Sequence, residues 1–257
     1  NEIEPILTKL SCNSGGCHGK IQGQNGFRLS LLGFEPQFDY DNLLKEARGR
    51  RLFPANPEAS LLLTKATGQS PHGGGKKMEA NSEEYKIVRR WIASGMPYGK
   101  PTDPTVTRVS VFPEGRVIDR GGKQQLAVYA HYSDGTVEDV TRRTQYESND
   151  TEVATVTEQG VVSALNVTGQ SAVMIRYQGN VTVFRAVVPR PGTAPAFEFA
   201  ARTVVDEHTA RKWRELGISP SELCSDEQFI RRVSLDLTGT LPDAAAVQAF
   251  VADNDPQ

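Results

Sequence analysis

The strongest constraint on this fold is a change in the spacing of apolar residues, from a helical period to a strand period and back. Ile3, Ile6, Leu7 and Leu10 recur at helical spacing. Leu126, Val128, Ala130 and Tyr132 alternate with polar neighbours, the period of a half-buried strand. Phe229, Val233 and Leu237 return to a helical face. A single layer cannot satisfy both periods, so the expected fold class is multidomain α plus β. Proline-rich segments mark both changes, Pro101-Thr-Asp-Pro104 and Pro189-Arg-Pro-Gly-Thr-Ala-Pro195. They set expected domains at 1–99, 105–190 and 197–257.

The middle segment predicts a β-sandwich. The stretches 152–157, 161–167, 172–178 and 181–188 are short and β-rich, with Asp134-Gly135, Gly160 and Gly179-Asn180 as turns. His131 and Met174 are ordinary strand side chains in this pattern. In the first segment, residues 2–10 form an amphipathic helix. A second helix carries the stripe Tyr85, Val88, Trp91 and Ile92, capped by Asn81 with Glu84 three residues on, and stopped at Gly95 and Pro97. The last segment is short and helical, with a helix from Ala244 to Val251 and Arg231, Arg232 and Asp236 as structural polar groups. About sixty residues make a marginal core, so the natural protein is expected to continue beyond Gln257. A net charge of −2 gives no basic bias toward nucleic acid. No apolar run approaches the length of a membrane span. Three cysteines are too few for a disulfide scaffold.

Two of those cysteines, Cys12 and Cys17, fall in SCNSGGCHGK at 11–20, with His18 directly after the second. Covalent haem attachment usually reads C-x-x-C-H, the second thioether carrying the histidine beneath the iron. Here that adjacency is kept and the spacer has four residues, two of them glycines that let the loop bulge. A structural zinc site needs a second ligand pair, which the chain lacks. A Cys12–Cys17 disulfide closes a small loop and leaves His18 idle. Haem fits best, with the other two readings open. His72, Met78 and Met96 are the candidates for a second axial ligand, and Gly73-Gly74-Gly75 lets His72 approach a flat ring. Arg28, Arg50, Arg51 and Lys76 are candidates for pairing with haem propionates. Phe27, Leu29, Leu31, Leu32, Phe53, Leu61, Leu62, Leu63 and Trp91 are candidates for an apolar wall. No G-x-S-x-G accompanies His72-Gly-Gly-Gly, and no Ser or Thr follows the Gly-Lys at 75–76, which excludes an esterase elbow and a phosphate loop.

SCNSGGCHGK, GFRLSLLGF, GRRLFPANPEASLLLTKATG, PHGGGKKM and EEYKIVRRWIASGMP together resemble the planctomycete-type cytochrome c domain. In that family a bacterial group 2 immunoglobulin-like domain follows. Next comes a domain of unknown function whose start resembles DEQFIRRVSLDLTGTLPDAAAVQAFVADNDP. The resemblance implies a helical cytochrome c-like domain, an immunoglobulin-like β-sandwich and a short C-terminal helical segment. It implies one covalent haem c on Cys12, Cys17 and His18, favours His72 over Met78 as second ligand, and implies an extracytoplasmic location. The expected function is electron transfer to an unidentified redox partner protein, rather than catalysis. The alternatives are a haem enzyme or gas sensor with an open distal site, and a haem-free adhesive or scaffolding protein.

Overall fold

The computed structural model describes residues 2–192 and 196–253, so Thr193–Pro195 of the second proline-rich segment and Asn254–Gln257 lie outside the described residues. The chain forms two compact units, one through Gly192 and one after it.

The first unit opens with four helices: α1 (Ile3–Lys9), α2 (Pro36–Leu44), α3 (Leu61–Ala66) and α4 (Glu83–Ala93). Their apolar faces meet in one core built on Ile6, Leu7, Leu43, Leu63, Val88 and Ile92. Lys9 ties α1 to α4 through an ion pair with Glu84 at 2.5 Å. The stripe expected on α4 is buried as read. Its cap is Ser82 rather than Asn81: Ser82 has the extended backbone a cap requires, and its side chain accepts from the Tyr85 N–H at 3.2 Å. Asn81 instead occupies the left-handed region, with φ 68°.

Ten strands follow: β1 (Val106–Phe112), β2 (Gly115–Val117), β3 (Lys123–Gln125), β4 (Ala127–Tyr132), β5 (Val137–Asp139), β6 (Gln145–Ser148), β7 (Ala154–Val156), β8 (Val161–Ala164), β9 (Gly169–Tyr177) and β10 (Asn180–Val188). They make three sheets, ordered β1-β4-β5, β2-β10-β9-β6 and β3-β8-β7. All pairings are antiparallel except β2 with β10. Inward residues of all three sheets share one core, among them Val128, Val162, Ile175, Tyr177 and Phe184. The alternation read at 126–132 is present: Leu126, Val128 and Ala130 are buried while Tyr129 faces out. The segment 101–104 is a turn rather than a spacer, with the Lys100 N–H donating to Asp103 Oδ2 at 2.7 Å. The two cores stay distinct but share one compact unit. Gln145 on β6 donates to Ser11 Oγ, just past α1, at 3.2 Å.

The second unit contains α5 (Val204–Leu216), α6 (Asp226–Thr238) and α7 (Ala244–Ala252). Thr203 and Asp206 form a reciprocal capping box on α5. On α6 the buried residue is Ile230, and the expected face of Phe229 and Leu237 is 48% and 80% exposed. Three short helices offer too little surface to cover a full apolar stripe. Phe229 finds a partner in Phe250 of α7, with ring centroids 5.8 Å apart.

Phe184 is fully buried and its neighbour Val183 is 38% exposed. Phe184→Ala is therefore expected to cost about 3–5 kcal/mol in urea unfolding of the intact chain, and Val183→Ala about 1 kcal/mol or less. Equal losses for the two would contradict the register of β10.

Candidate functional site

α1 ends at Lys9, and Ser11 turns the chain in the left-handed region, with φ 57°. The residues after it coil on themselves. The Cys17 N–H donates to Ser14 O at 3.0 Å, the His18 N–H to Cys12 O at 3.0 Å and the Gly19 N–H to Ser14 O at 2.9 Å. Asn13 pins the coil from beneath. Its side chain is fully buried and donates to Glu4 Oε1 at 3.0 Å and Thr8 Oγ1 at 2.9 Å, while its carbonyl accepts from the Leu32 N–H at 3.0 Å. Gly19 passes so close that a Cβ there would lie 1.9 Å from that carbonyl oxygen. The coil takes up the four spacer residues and keeps Cys17 and His18 adjacent at its exit.

His18 and His72 come together from opposite ends of the helical part. His18 Nδ1 lies 2.9 Å from Phe27 O, and His72 Nδ1 lies 2.7 Å from Gly75 O. A neutral ring nitrogen beside a carbonyl is the protonated donor, so each Nε2 keeps its lone pair. Metal-bound imidazoles are oriented in this way. The two rings are 8° from parallel with centroids 6.2 Å apart. Two imidazoles sharing one metal through bonds of about 2.0–2.1 Å hold their centroids roughly 6 Å apart. At Gly74 a Cβ would stand 3.1 Å from the His72 ring. Burial, opposed by the Phe27 carbonyl, pushes His18 below its ordinary value and favours the neutral form that binds metals.

Both histidines line a cavity of about 650 Å³, together with Cys12 and Cys17. That volume lies in the range of cofactor sites, about 300–1,000 Å³. The thiols are free, and burial pushes Cys12 up to about 11. Phe27 and, from α3, Leu61 and Leu62 supply apolar wall. Arg50, Arg51, Lys65 and Lys77 supply cations, and no carboxylate lines the cavity. Among the described residues no group of three or more His, Cys, Asp or Glu side chains is placed to hold a metal ion.

The other expected site residues are placed differently. Met78 is 8% exposed and packs into the helical core, away from the cavity. Met96 packs against the same core. Arg51 is buried, and its guanidinium donates to Asn42 O at 2.6 Å, Glu46 O at 2.9 Å and Gly26 O at 2.9 Å while lying 4.6 Å over the Phe27 ring. It is a strut beneath the turn that holds His18, whereas Arg50 is exposed at the rim. Arg28 lies over Phe38, and Lys76 pairs with Glu79 at 2.5 Å, both away from the lining. Leu29, Leu63 and Trp91 belong to the core beneath, Phe53 is half-exposed, and Leu31 and Leu32 line a separate cavity of about 530 Å³. Sequence reasoning missed Lys65, Lys77, Asn13 and the acid Glu4. The position of Asn13 inside the spacer was the available signal.

With this geometry in view, the comparisons describe the chain in two steps. As a class, it is a mixed α and β protein carrying an immunoglobulin-like β-domain: residues 105–183 match the family profile of the bacterial Ig-like domain (group 2). More particularly, residues 204–257 match the profile PSCyt2, described as a protein of unknown function (DUF1549). Ice-binding protein 1 of Shewanella frigidimarina (strain NCIMB 400) is 38% identical over 69 residues, which are 27% of this chain and 8% of that protein. Similar solved structures include domains 4 and 5 of the S-layer protein SbsC, at 19% identity and TM-score 0.30, covering 34% of this chain and 53% of that one. Domains 1–6 of SbsC follow at 18% identity and TM-score 0.31, covering 38% and 15%. The chain thus spans a small part of its curated relative and about half or less of these structures.

Burial, with the Asp39 charge next, pushes Glu4 from 4.5 up to about 8. A carboxyl group that binds its proton more tightly when folded stabilises most below pH 4.5, and that stability is lost as pH rises toward about 8. The melting temperature of the first unit is expected to fall across this window, and to fall less in Glu4→Gln. Scanning calorimetry at a series of pH values checks it, and an identical slope in the variant would refute it.

Proposed function

We propose that this chain is an extracytoplasmic c-type cytochrome module that passes electrons through one covalent haem. The observation carrying this reading is the near-parallel His18–His72 pair at 6.2 Å, each Nδ1 tied to a carbonyl, in one cavity with two free thiols. In this reading Cys12 and Cys17 would attach the haem, and His18 and His72 would hold its iron. Arg50 and Lys77 meet the propionates, as cations in a lining without carboxylates. When bound, haem supplies a one-electron iron couple whose potential is tuned by its ligands and surroundings. The chain's own residues do the rest. Phe27, Leu61 and Leu62 would exclude water, the Phe27 and Gly75 carbonyls fix the imidazoles, and the two histidines would hold the iron from either side. That arrangement suits electron transfer and hinders access of oxygen or peroxide. The redox partner is a protein, and the extracytoplasmic location accords with the Ig-like match.

A second reading concerns the β-domain. The Ig-like match and the ice-binding relative favour an adhesive or scaffolding role for this part. No β-strand residue lines the 650 Å³ cavity, so the two roles do not compete for the same side chains.

Expression with a haem-attachment system, followed by a pyridine haemochrome assay and intact mass, tests the first reading. The expected mass is chain plus one haem, retained on denaturation. His72→Ala is expected to give a high-spin protein that binds carbon monoxide, and Met78→Ala to stay low-spin. A chain that acquires no haem would leave only the scaffolding role.

A further inference from the structure

His72 has to be held in place before it can serve as a ligand, and its loop has little packing to do so. A Cβ built at Gly73 or Gly75 would meet nothing within 4 Å, so neighbouring atoms do not crowd the turn at either position. The turn closes on itself: the Gly75 N–H donates to His72 O at 3.0 Å, and His72 Nδ1 lies 2.7 Å from Gly75 O. Those bonds orient the ring within the turn. They do not fix the turn relative to His18.

Helix α3 does that. Its last carbonyls catch the loop on both sides of His72. The Ser70 N–H donates to Thr64 O at 2.9 Å, and the Lys77 and Met78 N–H groups both donate to Ala66 O, at 2.7 and 3.1 Å. A further bond comes from a side chain. Lys65, in the last turn of α3, donates from Nζ to Pro71 O at 2.7 Å. Pro71 O lies in the peptide plane that ends on the Cα of His72, so a grip on that oxygen sets the position of the His72 backbone. Lys65 also lines the cavity that holds His18 and His72. The other histidine is served in a parallel way, since Arg51 secures its turn by donating to Gly26 O.

We infer that Lys65 is a positioning residue for His72: its ammonium clips the Pro71–His72 peptide to α3 and so keeps the imidazole parallel to that of His18. The inference rests on the haem reading above. Lys65 acts by raising the fraction of molecules in which His72 stands ready to bind. Without the clip the turn is tethered by backbone bonds alone, and an outside ligand competes with His72 more successfully.

Cyanide binding to the haem-loaded ferric protein tests it. Lys65→Met keeps a straight-chain, helix-forming side chain and removes the ammonium. It is expected to bind cyanide on the order of tenfold more tightly than the unmutated protein, the effect typical of losing a group that orients a ligand. Lys65→Arg, which keeps a donor and the charge, is expected to restore the unmutated affinity. Charge alone would act with the opposite sign, since taking a cation from the lining weakens its attraction for an anion. Unchanged or weaker cyanide binding in Lys65→Met, or no recovery in Lys65→Arg, overturns the proposal. Amide hydrogen exchange of haem-free protein is the second measurement. Protection of Ser70, Gly75 and Lys77 is expected to fall in Lys65→Met while the α4 amides keep theirs, and equal protection at the three loop amides overturns the clip. The two readings fail separately. If the unmutated protein takes up no haem, the cytochrome reading has failed and the role of Lys65 toward a ligand falls with it. If haem attaches and cyanide affinity does not respond to Lys65, the clip alone is refuted.

Discussion

The site depends on one buried amide. Asn13 holds the cysteine spacer to α1 through Glu4 and Thr8, receives Leu32 through its carbonyl, and leaves Gly19 just enough space to pass. A longer spacer normally means a looser loop, since every added residue brings backbone freedom that must be lost again. Here the loss is offset inside the loop by internal hydrogen bonds and by a side chain anchored in the core. The thiols and His18 are thus presented by a framework held by the chain's own hydrogen bonds, as preorganised sites require.

The same economy governs the imidazoles. Each takes its orientation from a backbone carbonyl of its own neighbourhood, Phe27 for His18 and Gly75 for His72. Arg51 then secures the turn at Phe27 by bonding three carbonyls at once. A guanidinium that would otherwise meet carboxylates is spent on the backbone, and the exposed cations at the rim remain for anionic groups.

Much of this was legible from spacing. The adjacency Cys17-His18 and the glycines after His72 point to the two rings, because both patterns concern local backbone. The alternation at 126–132 and the stripe on α4 follow from burial on one face. What spacing could not show is where a side chain ends after the chain has crossed the core. Of the two candidates the sequence offers, His72 is favoured over Met78, and the structure sets His72 in the cavity while Met78 packs inward. Arg51 reads as a propionate partner until the carbonyls around it are seen. β1 was missed because Arg108 and Ser110 interrupt its apolar run, and β2, β3 and β5 because three residues carry too little pattern.

The parallel pairing of β2 with β10 has a mechanical meaning. β10 runs to Val188, at the end of the first unit, and β2 enters beside it in the same direction. Tension applied along the chain pulls the start of β2 and the end of β10 in opposite senses. The rungs joining Gly115, Arg116 and Val117 to β10 are then loaded together instead of parting one by one. A domain fastened in this way resists stretching along the chain.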